Sequence, residues 1–147
     1  MIVRELLTRK PVGFVSIEPS ATTAGAAGLL IDRGVGGLAV TEPGGQLVGF
    51  VSERDIVRAV DGQKAGLHER AVVEIMRRPA PVCSAADPIR QVMSRMTRER
   101  LRHLVVMDGD RVAGVISVGD LVKHRLEQLE TETGVLRDYV AAQRARG

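Results

Sequence analysis

The sequence predicts an α+β fold in which two β-α-β-β-α repeats are related by a pseudo-twofold axis and followed by a long C-terminal helix. Two observations lead to this prediction. Residues 49–57 recur 65 positions later as residues 114–122, with Gly, Ser and Asp at matching places. Residues 37–40 match residues 103–106 at an offset of 66, and the one-residue difference falls in a turn, where insertions are tolerated. Two copies of this length are too few for a solenoid and indicate two half-domains.

Each copy predicts the same elements in the same order. In the first copy these are a lead-in helix at residues 3–9, a strand at 14–17, a helix at 22–33, a β-hairpin formed by 38–41 and 46–52, and a final helix from Ser52 onward. In the second copy the lead-in is predicted at residues 72–77, the first strand at 81–83, the first helix from Asp87 and the final helix from Ser117. Asp87 is the predicted N-cap, with Pro88 as the first helical residue.

The first long helix is rich in alanine, and its apolar side chains predict the buried face. Ala26, Ala27, Leu30 and Ile31 are expected to point inward, and Gly34 is expected to end the helix. We divide the chain into repeat 1 with its lead-in helix at residues 1–65, repeat 2 at 66–127 and a helical extension at 128–147.

The last helix extends well beyond the end of its counterpart in the first copy. Residues spaced by 4, 3, 4, 3 and 4 form a heptad pattern at Val122, Leu126, Leu129, Thr133, Leu136 and Val140. The pattern fits a helix packed on its own domain as well as a helical contact between two subunits, and Gly134 weakens it. Both alternatives stay open.

Composition excludes several classes of protein. The 147 residues are 44% hydrophobic and 27% charged, which is typical of one globular domain. Only 2% are aromatic, too few for a platform that stacks single-stranded nucleic acid. No apolar run approaches the length of a membrane span, and Arg4 and Arg9 interrupt any signal peptide, so we expect a cytoplasmic protein without membrane contact.

The net charge and the single cysteine limit the partners and the kinds of site that the sequence predicts. The formal net charge of +3 favours an anionic partner, but no helix-turn-helix or zinc pattern is present, so nucleic-acid binding is not expected. Cys83 alone cannot form an intramolecular disulfide or a multi-thiolate metal site and is expected to be a small core residue. The three histidines lack metal-ligand spacing, and no catalytic triad or phosphate-binding Walker loop is present, so we predict neither a metal site nor an enzyme.

The repeated Gly-x-x-Ser-x-x-Asp motif lies where a strand passes into a helix. Backbone N–H groups and the helix dipole favour phosphate there, a serine hydroxyl can donate to it, and a carboxylate one turn on can accept from both ribose hydroxyls. The glycine would leave room for the ligand. The same serine and aspartate also fit a capping box that only starts the helix. The residues by themselves leave the two interpretations balanced.

The repeats resemble a tandem pair of cystathionine-β-synthase-type (CBS) domains, over about residues 1–130. The resemblance is closest to small stand-alone bacterial CBS-pair proteins. It rests on Ser-Glu-Arg-Asp-Ile-Val-Arg at 52–58, on Ile-Ser-x-Gly-Asp at 116–120 continuing to Arg125, on Arg-His-Leu at 102–104 and on Leu-Arg-Asp-Tyr-Val at 136–140.

The resemblance implies a regulatory module that binds AMP, ADP, ATP, NAD or S-adenosylmethionine in clefts between the repeats. The resemblance implies that the aspartates contact the ribose and that the serines and cationic residues contact the phosphate. It also implies that apolar residues of the other repeat contact the adenine. The corresponding residues here are Ser52, Arg54, Asp55, Ser117, Asp120, Arg102, His103, Val15, Val35, Gly36, Pro81 and Val82. Of these, Val15, Val35 and Gly36 are expected near Asp120, and Pro81 and Val82 near Asp55.

The two copies are not equivalent, because Arg102 and His103 correspond to Gly36 and Gly37 in the first copy. This difference predicts one cleft that binds the phosphate well and another that binds weakly or binds a different moiety. The resemblance also implies a homodimer, with any output passed to an unidentified client protein. The alternative is an oligomerisation or adaptor module without a ligand, in which both motifs are only helix caps.

Overall fold

Helices and strands follow one another in two rounds of the same order in a computed structural model that describes residues 1–10, 14–62 and 65–146. The first round comprises α1 (Val3–Thr8), β1 (Ser16–Ile17), α2 (Thr23–Arg33), β2 (Gly37–Thr41), β3 (Leu47–Ser52) and α3 (Glu53–Asp61). The second comprises two 3₁₀ helices (Leu67–Glu69 and Val72–Glu74), β4 (Val82–Ser84), α4 (Ile89–Glu99), β5 (His103–Asp108), β6 (Arg111–Ser117) and α5 (Val118–Arg146). The predicted α+β fold with a long C-terminal helix is confirmed.

Each round forms its own three-stranded sheet. The strand orders are β1-β2-β3 and β4-β5-β6, and in each sheet the first pair is parallel and the second antiparallel. A helix makes the crossover that a parallel pair requires. Gly37 faces Ser52 in the first hairpin as His103 faces Ser117 in the second, and both hairpins shift register at the same place, after Val40 in the first. The sequence repeat is therefore also a repeat of strand register.

The lead-in segment of each round packs on the sheet of the other round. Val3 and Leu6 of α1 are buried in the core of the second sheet, together with Leu104 and Ile116. Val72, which begins the second 3₁₀ helix, is instead buried in the core of the first sheet. Each sheet is thus covered by the lead-in of the other round.

A third buried cluster joins the two sheets. It consists of Ala39 in β2, Phe50 in β3 and Val105 in β5. All three side chains are at most 3% exposed, so the two sheets pack directly against each other. Because of this contact, one end of each sheet lies beside residues of the other round.

Three local predictions are wrong. Ile31 was predicted to point inward but is 80% exposed, because α2 buries Thr23, Ala26 and Leu30 and Ile31 lies off that face. The lead-in predicted at 72–77 is helical only as a short 3₁₀ turn.

The third concerns the start of α4. The N-cap of α4 is Pro88, one residue later than predicted, while the Asp87 carboxylate accepts a hydrogen bond from the Ser84 N–H at 2.9 Å. Gly34 ends α2 as predicted, with a left-handed φ of 63°, and the N-cap is Thr22, whose hydroxyl accepts a hydrogen bond from the Gly25 N–H.

Candidate functional site

In the first copy of the motif, the serine and the aspartate are hydrogen-bonded to each other. Ser52 caps α3, and Asp55 Oδ2 accepts hydrogen bonds from the Ser52 N–H at 2.8 Å and from the Ser52 hydroxyl at 3.0 Å. The Arg58 guanidinium lies 3.4 Å from Asp55 Oδ1. Both oxygens of this carboxylate therefore already have local donors.

The second copy keeps the cap, but the described residues donate to only one oxygen of its carboxylate. Asp120 Oδ2 accepts from the Ser117 N–H at 2.8 Å, and the Asp120 N–H donates to the Ser117 hydroxyl at 3.2 Å. The Lys10 ammonium lies 2.9 Å from the same Oδ2 and also donates to the Val115 carbonyl at 2.6 Å. Among the described residues nothing donates to Asp120 Oδ1, so this oxygen can accept from a ligand.

A cleft of about 890 Å³ opens beside Asp120. Its walls come from both rounds, because they include residues of the β1 and β2 region as well as the end of β6 and the start of α5. The lining residues are Leu7, Lys10, Phe14, Val15, Gly34, Val35, Gly36, Gly37, Glu53, Arg102, His103, Ala113, Gly114, Val115, Ser117, Val118, Gly119 and Asp120. This volume is within the range of small-molecule sites, about 300–1,000 Å³.

The cleft brings together some of the site residues expected from the sequence. Those that line it are Val15, Val35, Gly36, Arg102, His103, Ser117 and Asp120. Those that lie outside its lining are Ser52, Arg54, Asp55, Pro81 and Val82. Val82 is partly exposed, and its carbonyl accepts a hydrogen bond from the Arg95 guanidinium.

The motif glycines are positions of close packing. A Cβ at Gly114 would lie 2.8 Å from the Leu7 side chain, and one at Gly49 would lie 2.5 Å from Met76 Sδ and 3.0 Å from the Arg77 carbonyl oxygen. Both glycines therefore make room for the exchanged lead-in segments. Gly114 also lines the cleft beside Asp120, whereas Gly49 lies outside its lining.

The charges in the cleft have both signs. Burial lowers the pKa of His103 below its ordinary value of 6.5, although Asp120 and Glu53 act in the opposite direction. The Glu53 carboxylate and the His103 ring both crowd Gly36, where a Cβ would lie 2.9 Å from Glu53 Oε1 and 3.2 Å from His103 Nε2. With His103 neutral, Lys10 and Arg102 are the cations that line the cleft and Glu53 and Asp120 the anions.

The side chains that differ between the copies explain why the two motifs have different surroundings. The glycines at positions 36 and 37, beside Asp120, are replaced by Arg102 and His103 in the second round. Val115 is replaced by Phe50 in the first. Phe50 packs against Gly37 and lies 5.3 Å from the His103 ring, centroid to centroid. The two motifs therefore differ in the size of the side chains around them.

Sequence reasoning missed Lys10 and Glu53, which both line the cleft. Glu53 lies inside the motif that was identified, but it reaches the cleft of the other copy. Its backbone N–H donates to the Gly36 carbonyl at 3.0 Å, and the matching bond joins Val118 to Arg102 at 2.9 Å. Glu53 and Val118 are the first residues after the two motif serines, so the position after the serine could have signalled this contact.

The described part of the chain contains neither a metal-binding cluster nor a membrane-spanning helix. Residues 1–10, 14–62 and 65–146 contain no group of three or more His, Cys, Asp or Glu side chains arranged to hold a metal ion. Across the same residues, no helix combines the length and the apolar character that crossing a bilayer requires.

Solved structures with similar folds are CBS-domain proteins. A CBS-domain containing protein from Agrobacterium tumefaciens is 37% identical with a TM-score of 0.78, and the alignment covers 84% of this chain and 92% of that one. A CBS domain protein from Pyrobaculum aerophilum, complexed with AMP, is 31% identical with a TM-score of 0.77 over 90% of this chain and 99% of that one.

Curated relatives are longer than this chain. It spans 31% of an uncharacterized protein of Thermofilum pendens and 56% of a mitochondrial CBS domain-containing protein of Arabidopsis thaliana, each 28% identical over 65% and 76% of this chain. The inosine-5'-monophosphate dehydrogenase of Mycobacterium bovis is 30% identical over 94% of this chain but only 26% of the enzyme. Residues 3–62 and 72–127 each match the CBS domain family. The chain therefore belongs to the CBS domain family and carries the domain as a tandem pair.

Proposed function

We propose that this protein is a regulatory module that binds an adenine nucleotide, with AMP as the preferred ligand, in the cleft beside Asp120. One observation carries the proposal: Asp120 lines a cleft of about 890 Å³ at a helix N-terminus, and no described residue donates to its Oδ1. In this arrangement Asp120 Oδ1 accepts from the ribose hydroxyls. The backbone and hydroxyl of Ser117 lie at the helix start, where phosphate is favoured.

The other walls of the cleft suit the remaining parts of the ligand. Val15 and Val35 offer an apolar slot for the adenine ring, and Gly36 keeps the slot open. Lys10, Arg102 and His103 are the groups that would hold the phosphate. AMP in the related Pyrobaculum aerophilum protein, 31% identical to this chain, supports an adenosine monophosphate here. ADP, ATP, NAD and S-adenosylmethionine share the adenosine and are the competing ligands to test.

A sensor function follows from the position of the cleft between the two rounds. A ligand that contacts Val15 and Val35 on one side and Asp120 on the other biases how the two halves pack, because it binds one arrangement better. We propose that the change acts through another chain, either a second copy of this protein or a client protein. We assign no catalytic step to the module, and its dehydrogenase relatives align with it over a quarter of their length.

The experiment is thermal unfolding with each of the five ligands. A ligand at 100 times its dissociation constant adds about 2.7 kcal/mol to the free energy of unfolding, a rise of about 5–10 °C for a chain of this size. Asp120→Asn should abolish the shift. Asp55→Asn is the matched control, because it removes the same kind of cap on α3 and leaves the cleft unchanged.

A ligand-independent adaptor is the second candidate, and the closed capping box at Ser52 and Asp55 favours it. If none of the five ligands shifts the unfolding temperature, the adaptor is correct and the nucleotide proposal fails. If Asp55→Asn abolishes the shift and Asp120→Asn does not, the assignment of the site to Asp120 is wrong.

A further inference from the structure

The end of α5 projects beyond the rest of the molecule. Leu121 and His124 are its buried residues, and in the described chain from Arg125 onward only Gly134 is even half-buried. The match to the CBS domain family also ends here, at residue 127. The projection from residue 125 to 146 is about 32 Å long, at 1.5 Å per residue. Most helical stability in proteins comes from packing of an apolar face and not from intrinsic propensity, so a projecting helix with such a face favours a partner.

The projection is not uniformly polar. Besides Val135 and Tyr139, its large apolar side chains are Leu126, Leu129, Leu136 and Val140, which are between 39% and 61% exposed. Together with Val122 and Thr133 they form what we term the α5 stripe, defined by Val122, Leu126, Leu129, Thr133, Leu136 and Val140. The spacing alternates between four and three residues, as in a heptad repeat, which keeps the stripe along one seam of a supercoiled helix.

The α5 stripe does not face its own domain. At 100° per residue, its centre lies about 130° around the helix from the direction of the buried residues Leu121 and His124. The helix therefore cannot bury both faces against its own body. A shallow groove on the far end of the stripe, lined by Leu136, Arg137, Val140, Ala141 and Arg144, is open to a second helix.

We propose that residues 122–140 of α5 form a parallel, in-register, two-stranded coiled coil with the same segment of a second copy of this chain. The proposal deepens the proposed function, in which the module acts through another chain, by naming that chain and the surface. In heptad terms Leu126, Thr133 and Val140 occupy a positions, and Val122, Leu129 and Leu136 occupy d positions. Leu129 and Leu136 at d with the β-branched Thr133 and Val140 at a fit the pattern that favours two strands, whereas Val122 and Leu126 at the start of the stripe reverse it.

The charges beside the stripe select the parallel orientation and a second copy. In a parallel pair, a residue at g faces the e residue five positions later on the other helix. Arg125 then faces Glu130 of the partner subunit, and Glu132 faces Arg137 of the partner subunit. Symmetry doubles these to four pairs of opposite charge.

The antiparallel alternative brings like charges together. If all six stripe positions are kept in contact, the centre of an antiparallel pair lies near residue 131. Glu130 then faces Glu130 of the partner subunit, and Glu132 faces Glu132 of the partner subunit. Like charges on neighbouring helices are destabilising, so the charge pattern opposes this pairing.

Sedimentation analysis of the full chain across a concentration series tests the charge pairing. Glu132→Arg places two arginines together and should raise the dimer dissociation constant at least tenfold. Adding Arg137→Glu to that variant should restore the wild-type value. Glu127→Arg is the matched control, because it makes the same charge change at a b position away from the seam and should leave the constant unchanged.

Disulfide formation tests the orientation. In the parallel pair, Val140→Cys brings two thiols together and should give a cross-linked dimer under mild oxidation, whereas Asp138→Cys on the outer face should not. The antiparallel pair separates the two positions by about 27 Å. The native thiol does not interfere, because Cys83 is buried and desolvation raises its pKa to about 11.

The outcomes separate this inference from the nucleotide proposal. A monomeric wild-type chain, equal effects of Glu132→Arg and Glu127→Arg, or no cross-link in Val140→Cys overturns the coiled coil. AMP binding by Glu132→Arg is measured in the same samples and should be unchanged. Loss of the dimer with intact AMP binding supports the coiled coil, and absence of AMP binding from every variant overturns only the nucleotide site.

Discussion

The Lys10 ammonium lies 2.9 Å from Asp120 Oδ2, and this ion pair joins the end of the first lead-in segment to the first turn of α5. The two residues are 110 positions apart in the sequence, and their side chains are only 23% and 24% exposed. The second contact of Lys10, with the Val115 carbonyl, fixes the ammonium at the edge of the cleft. Lys10 therefore pairs with Oδ2, and no described residue donates to the other carboxylate oxygen, Oδ1.

Lys10→Met should lower the free energy of unfolding by about 1 kcal/mol, because it leaves a half-buried carboxylate without its cation. In the Asp120→Asn background the same substitution should cost much less, and the difference in a double-mutant cycle measures the coupling. Urea denaturation provides both values.

Arg58→Met is the matched control for Lys10→Met. The Arg58 side chain is 73% exposed beside Asp55, and exposed ion pairs contribute little, so its loss should change stability by less than about 0.5 kcal/mol. Equal losses from Lys10→Met and Arg58→Met would show that burial does not distinguish the two pairs.

Glu53→Gln should strengthen the binding of phosphorylated ligands. The Glu53 carboxylate lines the cleft near Gly36 and His103, and its negative charge repels phosphate. Removal of one negative charge close to the phosphate should strengthen the binding free energy by about 1 kcal/mol, which is a gain of roughly threefold to tenfold in affinity. The gain should be larger for ATP than for AMP, because ATP carries more negative charge.

Calorimetric titration with both nucleotides measures the gain. Glu42→Gln, in the exposed turn between β2 and β3, makes the same charge change far from the cleft lining and should have no effect. If Glu53→Gln weakens binding instead, Glu53 contacts the ligand as an acceptor and does not oppose it.

How far the sequence determines this structure can be judged from particular residues. The repeat predicted both sheets, since a matching run of Gly, Ser and Asp requires matching backbone, and the register of Gly37 with Ser52 recurs as His103 with Ser117. Local capping chemistry predicted Gly34 at the end of α2, because a left-handed residue there favours glycine.

The remaining features depend on contacts between distant segments. No local pattern shows that α1 packs on the second sheet, because Leu7 and Gly114 are brought together only by tertiary packing. Ile31 was misplaced for the same reason: the position of α2 on its sheet, and not its apolar content, decides which side is buried. Lys10 belongs to no motif, so only the fold shows that it lines the Asp120 cleft, whereas Glu53 could have been inferred from its place directly after the motif serine.

Glycine-to-alanine substitutions should separate packing from backbone freedom. Gly114→Ala and Gly49→Ala should destabilise the protein by about 1–3 kcal/mol, because the added methyl group enters occupied space. Gly49→Ala should be the more costly of the two, since a backbone oxygen at 3.0 Å cannot move aside as easily as the Leu7 side chain.

Gly28→Ala is the matched control for these glycines. Gly28 lies within α2 with nothing within 4 Å of its added Cβ, so the substitution should stabilise the helix by about 0.5–1 kcal/mol. Chemical denaturation of the three variants tests the set. Equal effects in all three would contradict the role of the lead-in segments at Gly49 and Gly114.

Stability should fall as the pH drops below about 6.5, and His103 should account for part of the loss. Burial lowers the pKa of His103 in the folded protein below its ordinary value of 6.5. The unfolded chain therefore takes up a proton at a higher pH than the folded chain does, and the free energy of unfolding decreases as the pH falls through that window. Above 6.5 both states carry neutral His103, and this contribution is constant.

The measurement compares urea unfolding at pH 7.5 and 5.5 for the wild type, His103→Gln and His68→Gln. The decrease in stability between the two pH values should be smaller in His103→Gln than in the wild type. His68→Gln is the control, because its side chain is 72% exposed beside Glu69, and it should retain the wild-type decrease. If His103→Gln retains the full decrease, the loss arises elsewhere, and His103 is not held neutral by its position between Phe50 and the cleft.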